Sequence, residues 1–372
     1  MMRIVHMTSV HAPYDVRIFH KECKTLAAAG HDVTYIVSGP CDEQRDGVKF
    51  LSVPLPSNRK ERMLKTTREV YRAAMKLDAD VYHFHDSELI PTGWLLKARG
   101  KRVIYDVHEE LASDILYKDW VPAWVRPGLA LGATVVQHIS SWVFDGIIAS
   151  RPALAESFSK RKTTLVNNFP ILGELVKAEC VPFRDRPGIA AYVGGLTAER
   201  GIPEIIEALG KLPDDIDFEV HIAGEFYPAA LEERVRSMPG WKRVRMLGWQ
   251  SREQVADLLN RARFGLIMFL PIANHVRSFP TKMFEYMSAG LPILASDMDL
   301  WREIVEKPGF GKVVNPKDTD ALANMFRWML EHESECEEMG RCGCEAVQRE
   351  YNWDVDAKKL LALYDKLGAK KR

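Results

Sequence analysis

The chain has 372 residues, 47% of them apolar and 27% charged, and its 51 acidic side chains balance its 51 lysines and arginines. This composition is typical of a globular enzyme of two domains, and it argues against nucleic acid as a partner. No apolar run forms a signal-peptide core or reaches the roughly 18–20 residues of a membrane span, so we expect a cytoplasmic protein.

Apolar runs in the first half of the chain alternate with amphipathic segments, which is the pattern of parallel α/β architecture. An apolar stripe over 17–30 that stops at Gly30 predicts a helix after the first strand. Strands are predicted at 3–9, 32–38, 80–85, 102–109 and 145–150.

A second series of strands begins near Gly188. These strands are predicted at 189–195, 218–224, 244–248, 264–269, 292–296 and 312–315. The segment 167–187 between the two series is richer in proline and charge, and we place the linker there. The sequence therefore predicts two Rossmann-like domains, over 1–170 and 171–353, whose parallel sheets face each other across a cleft.

Ligands of such sheets bind beyond the carboxyl ends of the strands. Neither G-x-G-x-x-G nor G-x-x-x-x-G-K-[ST] occurs, which argues against nicotinamide-dependent hydride transfer and P-loop hydrolysis. Cys336, Cys342 and Cys344 cluster without a standard zinc spacing, so we expect reduced thiols and no bound metal.

The stretch "RSFPTKMFEYMSAGLPILAS" (277–296) predicts a short helix with Pro280 in its first turn and Ser278 as its cap. Lys282 and Glu285 fall on the stripe opposite the apolar residues that face the sheet. A helix N-terminus with a lysine suits a diphosphate, and a glutamate one turn deeper suits a ribose diol. On spacing alone, a solvated surface ion pair explains the two residues equally well.

Arg200, in "GGLTAERG", precedes another predicted helix and is placed to clamp a phosphate. Taken alone, a solvated loop arginine is the better interpretation. His83, His85 and His108 end or follow strands of the first domain. They suggest a metal only weakly, because His83 and His85 share one strand face, and a structural role is favoured for any single histidine. His108 is placed to face the cleft.

The blocks "YVGGLTAERGIPEIIEA", "MLGWQSREQVADLLNRARFGLIMFLP" and "FPTKMFEYMSAGLPILASD" resemble retaining glycosyltransferases of family 4, which have the GT-B fold. The likeness covers nearly the whole chain and is strongest to a branch with a P-x-K-x-F-E-Y motif. It implies that a C-terminal segment, 354–372, forms a helix that crosses back onto the first domain.

The resemblance also implies roles for single residues. Glu285 occupies the place of the family's ribose-binding glutamate, and Arg200 that of the basic residue on the diphosphate. His108 matches a histidine that lies near the sugar and the reacting centre. The turn after the third strand of the second domain lies by the base, which makes base-contact candidates of Gly248, Trp249 and Gln250.

Two positions depart from the family pattern. Gly195 stands where the family has an arginine, and we expect Lys282 to replace that lost cation. Arg277 stands where the family has a first, sugar-contacting acid, and Ser278 beside it is a further donor-side candidate. We expect these changes to affect which sugar is chosen.

The resemblance implies a retaining hexosyltransferase of polysaccharide biosynthesis, with no cofactor. Its donor is a nucleotide-diphosphate sugar, a UDP-sugar being favoured over a GDP-sugar, and its acceptor is a glycan or lipid-linked glycan. Asp15, Arg17 and His85 are the acceptor-side candidates. A sugar-nucleotide epimerase of the same fold and a non-catalytic sugar-nucleotide or glycan-binding partner remain as alternatives.

The segment 116–144 is unusually apolar for a connection, with Trp120 and Trp124 near Lys118 and Arg126. Tryptophans beside cations are typical of a bilayer interface. Ordinary packing of a helix on the first sheet is the favoured interpretation of the residues alone. The resemblance shifts our expectation toward peripheral contact with the inner face of the cytoplasmic membrane, because many relatives extend lipid-linked glycans.

Overall fold

The computed structural model describes residues 1–108, 111–117, 121–177 and 179–369. The chain divides into two compact units. Unit 1 comprises Met1–Asn168 together with Trp353–Arg372, and unit 2 comprises Phe169–Asn352. Within the described ranges, no helix is long and apolar enough to cross a membrane.

Unit 1 is built on an eight-stranded sheet in its described residues, with the order β3-β4-β2-β1-β5-β6-β7-β8. All neighbouring pairs are parallel except the short pair of β3 and β4. The strands are β1 Arg3–Met7, β2 Asp32–Ser38, β3 Gln44–Arg45, β4 Val48–Val53, β5 Val81–Phe84, β6 Arg102–Val107, β7 Gly146–Ala149 and β8 Thr163–Leu165.

The first helix of unit 1 is wound in two ways. Residues Val16–Cys23 are π-helical and continue into α1, Lys24–Ala28, which confirms the predicted helix. Asp15 begins it, because its side chain accepts hydrogen bonds from the backbone N–H groups of Arg17 and Ile18. The next helices are α2 Arg59–Glu61, α3 Thr67–Lys76, α4 Ile90–Ala98, α5 Leu111–Tyr117, α6 Arg126–Val143 and α7 Pro152–Glu156.

Unit 2 contains a fully parallel six-stranded sheet in its described residues, with the order β11-β10-β9-β12-β13-β14. Its strands are β9 Ile189–Val193, β10 Glu219–Ala223, β11 Val244–Gly248, β12 Phe264–Ile267, β13 Ile293–Ser296 and β14 Gly311–Val314. Its helices are α8 Ile202–Gly210, α9 Ala229–Arg236, α10 Arg252–Arg261, α11 Ala273–Val276, α12 Thr281–Ser288, α13 Asp299–Trp301, α14 Thr319–Glu331 and α15 Glu333–Arg349.

The last helix, α16 Trp353–Ala369, packs on unit 1. Trp353 donates its indole N–H to Thr25 Oγ1 at 2.9 Å, and Tyr364 Oη lies 2.8 Å from His83 Nδ1 on β5. Leu363 reaches β7, where a Cβ on Gly146 would lie 3.4 Å from its Cδ1. The helix is thus part of the core of unit 1.

Each predicted strand is confirmed, with ends that differ by no more than two residues. In both sheets the strand order reverses beside the first strand, between β1 and β5 and between β9 and β12. The carboxyl ends at such a reversal leave a crevice, where ligands of open α/β sheets bind.

Candidate active site

Helix α12 begins at the reversal of the second sheet. Its N-cap is Pro280, with φ −74° and ψ 142°, so the proline precedes the first turn. The prediction that Ser278 caps this helix is wrong. Ser278 Oγ donates instead to the carbonyl oxygen of Asn274 at 2.7 Å, since the short helix α11 ends immediately before it.

Lys282, in the first turn of α12, is buried, which corrects the expectation that it lies on a stripe away from the core. Its Nζ lies 4.3 Å from the ring centroid of Tyr192 and 5.3 Å from that of Phe269. Among the described residues, this ammonium has no hydrogen-bond partner. Burial, and then the charge of Arg200, lower the pKa of Lys282 to about 7, although Glu285 opposes the shift.

The glycine turn after β9 gives the ammonium room. Gly194 has φ 124°, and a Cβ on it would lie 2.9 Å from Lys282 Nζ and 3.5 Å from Arg200 Nη1. Arg200 donates from Nη1 to the Gly195 carbonyl oxygen at 3.1 Å. Two cations therefore converge on Gly194 and Gly195, beside the N-terminus of α12, and this arrangement favours negative charge.

Glu285 lies one turn further along α12, with its side chain 15% exposed. Its Oε1 accepts a hydrogen bond from Arg252 Nη1 at 2.8 Å. Arg252 also forms a two-point ion pair with Glu174, at 2.9 and 2.7 Å. Sequence reasoning missed Arg252 and Glu174, because these partners are 78 residues apart in the chain.

The predicted base contacts follow β11. Gly248 ends the strand with φ 68°, and its carbonyl oxygen accepts from the N–H of Gly224 at 2.8 Å. Trp249 is 74% exposed, and the Gln250 side chain donates to the Leu247 carbonyl oxygen at 2.6 Å. An exposed indole at this edge of the sheet offers a stacking face to an aromatic base.

Arg277 is exposed at the end of α11, just before α12. Its neighbour Ser278 accepts a hydrogen bond at its carbonyl oxygen from the indole of Trp301, at 2.7 Å. The loop that carries both residues is thereby tied to the fold of unit 2.

In unit 1, a cavity of about 250 Å³ lies at the reversal of the first sheet. The predicted residues His85 and His108 line it, whereas Asp15 and Arg17 are not among the described residues of its wall. The other polar side chains of the wall are His11, Arg62, Asp86, Ser87, Glu88 and Tyr105. This lining suits a ligand with many hydroxyl groups.

Asp106, on β6, organises the buried side of this cavity and was missed in the sequence, where it lies inside a predicted strand. Arg17 binds both of its carboxylate oxygens, at 3.0 and 3.1 Å. Asp106 Oδ2 lies 3.2 Å from His108 Nε2 and 3.3 Å from His85 Nδ1. Burial lowers the pKa of His85 to about 4, so its imidazole is neutral near pH 7.

Helix α6 turns large apolar side chains outward and buries small or polar ones, including Ala130 and Ser141. Trp124, just before it, is 86% exposed, while Trp120 and Lys118 lie outside the described residues. We call the outward side the apolar face of α6. It is formed by Leu131, Val135, Ile139 and Trp142, which are all between 48% and 71% exposed.

Two family models match this chain. One, described as "Glycosyl transferase 4-like domain", covers residues 16–162, and the other, "Glycosyl transferases group 1", covers residues 178–345. A phosphatidyl-myo-inositol mannosyltransferase of Mycobacterium leprae is 25% identical over 93% of this chain and 88% of its own length.

Solved structures show the same fold. The sucrose-phosphate synthase of Thermosynechococcus elongatus superposes with a TM-score of 0.79 at 20% identity, over 100% of both chains. An Anabaena protein in complex with UDP-glucose gives a TM-score of 0.73 at 13% identity, over 98% of this chain and 100% of that one. With one matched model in each unit, the chain is a hexosyltransferase enzyme of the GT-B fold, a glycosyltransferase of the family 4 type.

Proposed function

We propose that the protein moves a hexosyl group from a UDP-sugar to a glycan or lipid-linked glycan, with retention of the anomeric configuration. The observation that carries this proposal is Lys282, whose buried ammonium lacks a hydrogen-bond partner in the described structure and lies beside Arg200. Two cations without a neutralising partner between them favour binding of a doubly charged anion, and the diphosphate of a sugar nucleotide is one.

The ribose, base and sugar of the donor are assigned to residues at the same edge of the second sheet. With the diphosphate at the N-terminus of α12, the ribose hydroxyls donate to Glu285, which Arg252 holds in place. Trp249 stacks on the base. Support for uracil comes from solved structures of the same fold in complex with UDP and with UDP-glucose. Arg277 faces the sugar in this arrangement and influences which hexose is accepted.

The chemistry follows from charge. The bond between the anomeric carbon and the phosphate oxygen breaks, and its electron pair leaves with the diphosphate. Arg200, Lys282 and the backbone N–H groups of α12 stabilise that negative charge, each by about 2–4 kcal/mol in a site that excludes water. The acceptor hydroxyl attacks from the same face, and the departing phosphate oxygen takes its proton.

We assign the acceptor to the cavity of unit 1. Its carboxylates Asp86 and Glu88 accept hydrogen bonds from sugar hydroxyls, while His108 and His11 provide imidazole nitrogens. Asp106 orients His108 toward the reacting hydroxyl. A lipid-linked acceptor is compatible with the apolar face of α6, which would rest on the inner face of the cytoplasmic membrane.

The test of the donor site is a single substitution, Lys282→Met, which keeps an unbranched side chain one atom shorter and removes its charge. Binding of UDP and UDP-glucose is measured by calorimetry, and transfer is measured on an extract of glycan acceptors. We expect affinity for both ligands to fall about tenfold to a hundredfold with the fold retained.

Lys307→Met is the matched control, since Lys307 is an exposed lysine of unit 2 that pairs with Glu303. It should bind both nucleotides as the unmodified protein does. Equal affinities in Lys282→Met and the unmodified protein would exclude the proposed diphosphate site.

A further inference from the structure

Three histidines and a glutamate meet in the core of unit 1. β1 and β5 pair with His6 opposite His83, and His85 follows two residues later on the same face of the sheet. Glu22 reaches this face from the helical segment Val16–Cys23. All four residues are at most 3% exposed, and we call them the histidine cluster.

Part of this cluster lacks hydrogen bonds. Glu22 Oε1 makes no hydrogen bond among the described residues, although it lies 3.1 Å from Arg17 Nε as an ion pair. Glu22 Oε2 makes no hydrogen bond there either, and neither does His83 Nε2. The Oε2 of Glu22 lies 3.8 Å from that nitrogen, too far for a direct hydrogen bond. Buried polar atoms are seldom left in this state, because each one costs about 1–3 kcal/mol, so an unseen partner is expected between them.

We propose that the histidine cluster binds a divalent metal ion of the zinc class. Each residue offers one ligand atom, and the four atoms all lie within 4.8 Å of one another. In a tetrahedral zinc site, neighbouring ligand atoms are about 3.4 Å apart. The separations of His6 Nδ1 from His85 Nε2, 3.0 Å, and of His83 Nε2 from Glu22 Oε2, 3.8 Å, lie on either side of that value.

The ligand types agree with the geometry. Three imidazole nitrogens and one carboxylate oxygen form a donor set that suits Zn²⁺, whereas Mg²⁺ and Ca²⁺ prefer oxygen ligands alone. Four protein ligands in a fully buried place leave no position for substrate, so the ion would be structural. It would join β1, β5 and the helical segment Val16–Cys23.

Neighbouring groups hold the proposed ligands in place. The hydroxyl of Tyr364, on α16, lies 2.8 Å from His83 Nδ1, which directs Nε2 toward Glu22. Asp106 Oδ2 lies 3.3 Å from His85 Nδ1 and leaves Nε2 for the metal. Arg17, which is bound at two points by Asp106, also has its Nε 3.1 Å from Glu22 Oε1, so Oε2 is the Glu22 oxygen that faces His83 Nε2 and would bind the ion.

The spacing of the ligands along the chain explains why sequence reasoning expected no metal. Only His83 and His85 are neighbours in sequence, and their partners come from positions 6 and 22. The sequence pattern therefore resembles no standard zinc motif.

The experiment begins with the full chain produced in zinc-supplemented medium and purified without chelators. Elemental analysis measures bound metal, and we expect about one equivalent of zinc per chain. Protein produced with cobalt in place of zinc should show the visible absorption of a tetrahedral Co²⁺ site. Glu22→Gln and His83→Gln should each lose the metal, and the cobalt spectrum with it.

His221→Gln is the matched control, because His221 is also a buried histidine, 2.9 Å from a carboxylate oxygen of Glu219, in unit 2. It should keep one equivalent of metal. If His83→Gln fails to fold, Glu22→Gln alone decides, since it preserves the shape of its side chain. Substoichiometric metal in the unmodified protein, or full metal in Glu22→Gln, would overturn the proposal and leave a buried water as the partner of Glu22.

Discussion

Lys282 shows how one buried residue can define a site. A lysine ammonium has three hydrogens to donate, but in the described structure Lys282 Nζ makes no hydrogen bond and lies beside the rings of Tyr192 and Phe269. Taking an unpaired charge out of water is costly, so the amine gives up its proton more readily than a solvated one. A bound diphosphate would pair with the ammonium and would raise the pKa of Lys282 again.

The pH dependence of donor binding follows from that amine. In the free protein the pKa of Lys282 is lowered to about 7, first by burial. A bound diphosphate favours the protonated amine, so binding above this pH takes up a proton. Affinity should therefore be highest below pH 7 and fall by at most about tenfold per pH unit as the pH rises through 7.

UDP-glucose is the ligand to use, because its diphosphate, unlike that of free UDP, does not titrate near neutral pH. Calorimetry in two buffers of different ionisation enthalpy would measure the proton uptake directly. Lys282→Met should give a flat profile. If affinity in Lys282→Met fell with pH as steeply as in the unmodified protein, the proton taken up on binding would belong to another group.

Glu285 gives a second prediction at this scale. Glu285→Gln removes the charge that we propose accepts the ribose hydroxyls, which should weaken UDP binding about tenfold to a hundredfold. The loss should nearly vanish for 2′,3′-dideoxy-UDP, which lacks both hydroxyls. Arg252→Met should act in the same direction, since Arg252 holds the Glu285 carboxylate at 2.8 Å. A loss of equal size for both nucleotides would place Glu285 away from the ribose.

Among single residues, the sequence revealed those whose interacting residues are close in the chain and missed those whose interacting residues are distant in the chain. Lys282 and Glu285 share one short helix, so spacing alone brought them forward. Arg252 forms an ion pair with Glu174, 78 residues away, and Asp106 forms one with Arg17, 89 residues away, so their roles are visible only in the structure. Spacing also could not reveal that Lys282 is buried, because Tyr192 on β9 and Phe269 in the loop after β12 pack around its ammonium.

At the scale of elements, strands buried on both faces were predicted well, because they appear as continuous apolar runs. The strands β3, β4 and β8, which lie at or next to the edges of the first sheet, were not predicted. The residues of β4 alternate between buried and exposed, and β8 is three half-buried residues long, so neither forms such a run. The exposed apolar face of α6 was also unexpected in its extent, since burial against the sheet was the favoured interpretation.

That face leads to a prediction about lipid. Trp124→Ser combined with Trp142→Ser should weaken co-sedimentation with anionic vesicles at low salt, by on the order of tenfold for each tryptophan, because each indole is mostly exposed and free to enter the interface. Binding of UDP should stay unchanged.

Trp249→Ser is the matched control for the vesicles, being an equally exposed tryptophan of unit 2. It should sediment as the unmodified protein does. The unmodified protein could instead fail to bind vesicles and self-associate through α6 in a concentration-dependent way. The apolar face of α6 would then bind a second copy of the chain, and a soluble acceptor would be the better assignment.

At the scale of the whole molecule, the two units depend differently on chain connectivity. Unit 2 is one continuous stretch, Phe169–Asn352, and holds every residue assigned to the donor. Unit 1 is completed only by α16, which returns from the far end of the sequence. The buried apolar side chains of α16 are Trp353, Leu360, Leu363, Tyr364 and Leu367.

This asymmetry predicts the outcome of a truncation. A chain that ends at Asn352 loses five large buried side chains, whose burial is worth about 7–15 kcal/mol in total. That amount matches the whole stability of a typical domain, about 5–15 kcal/mol, so unit 1 should unfold. Hydrogen exchange should then show unprotected amides in β1 and β5, while the strands of unit 2 stay protected and UDP still binds.

A chain that ends at Ala369 is the control. Its unfolding temperature and its amide hydrogen exchange should match those of the full chain, because α16 is kept whole. Protected amides in β1 after loss of α16 would mean that the remaining core of unit 1 is sufficient without it. Loss of UDP binding in the same chain would mean that the donor site needs an intact unit 1, and the assignment of all donor contacts to unit 2 would then be wrong.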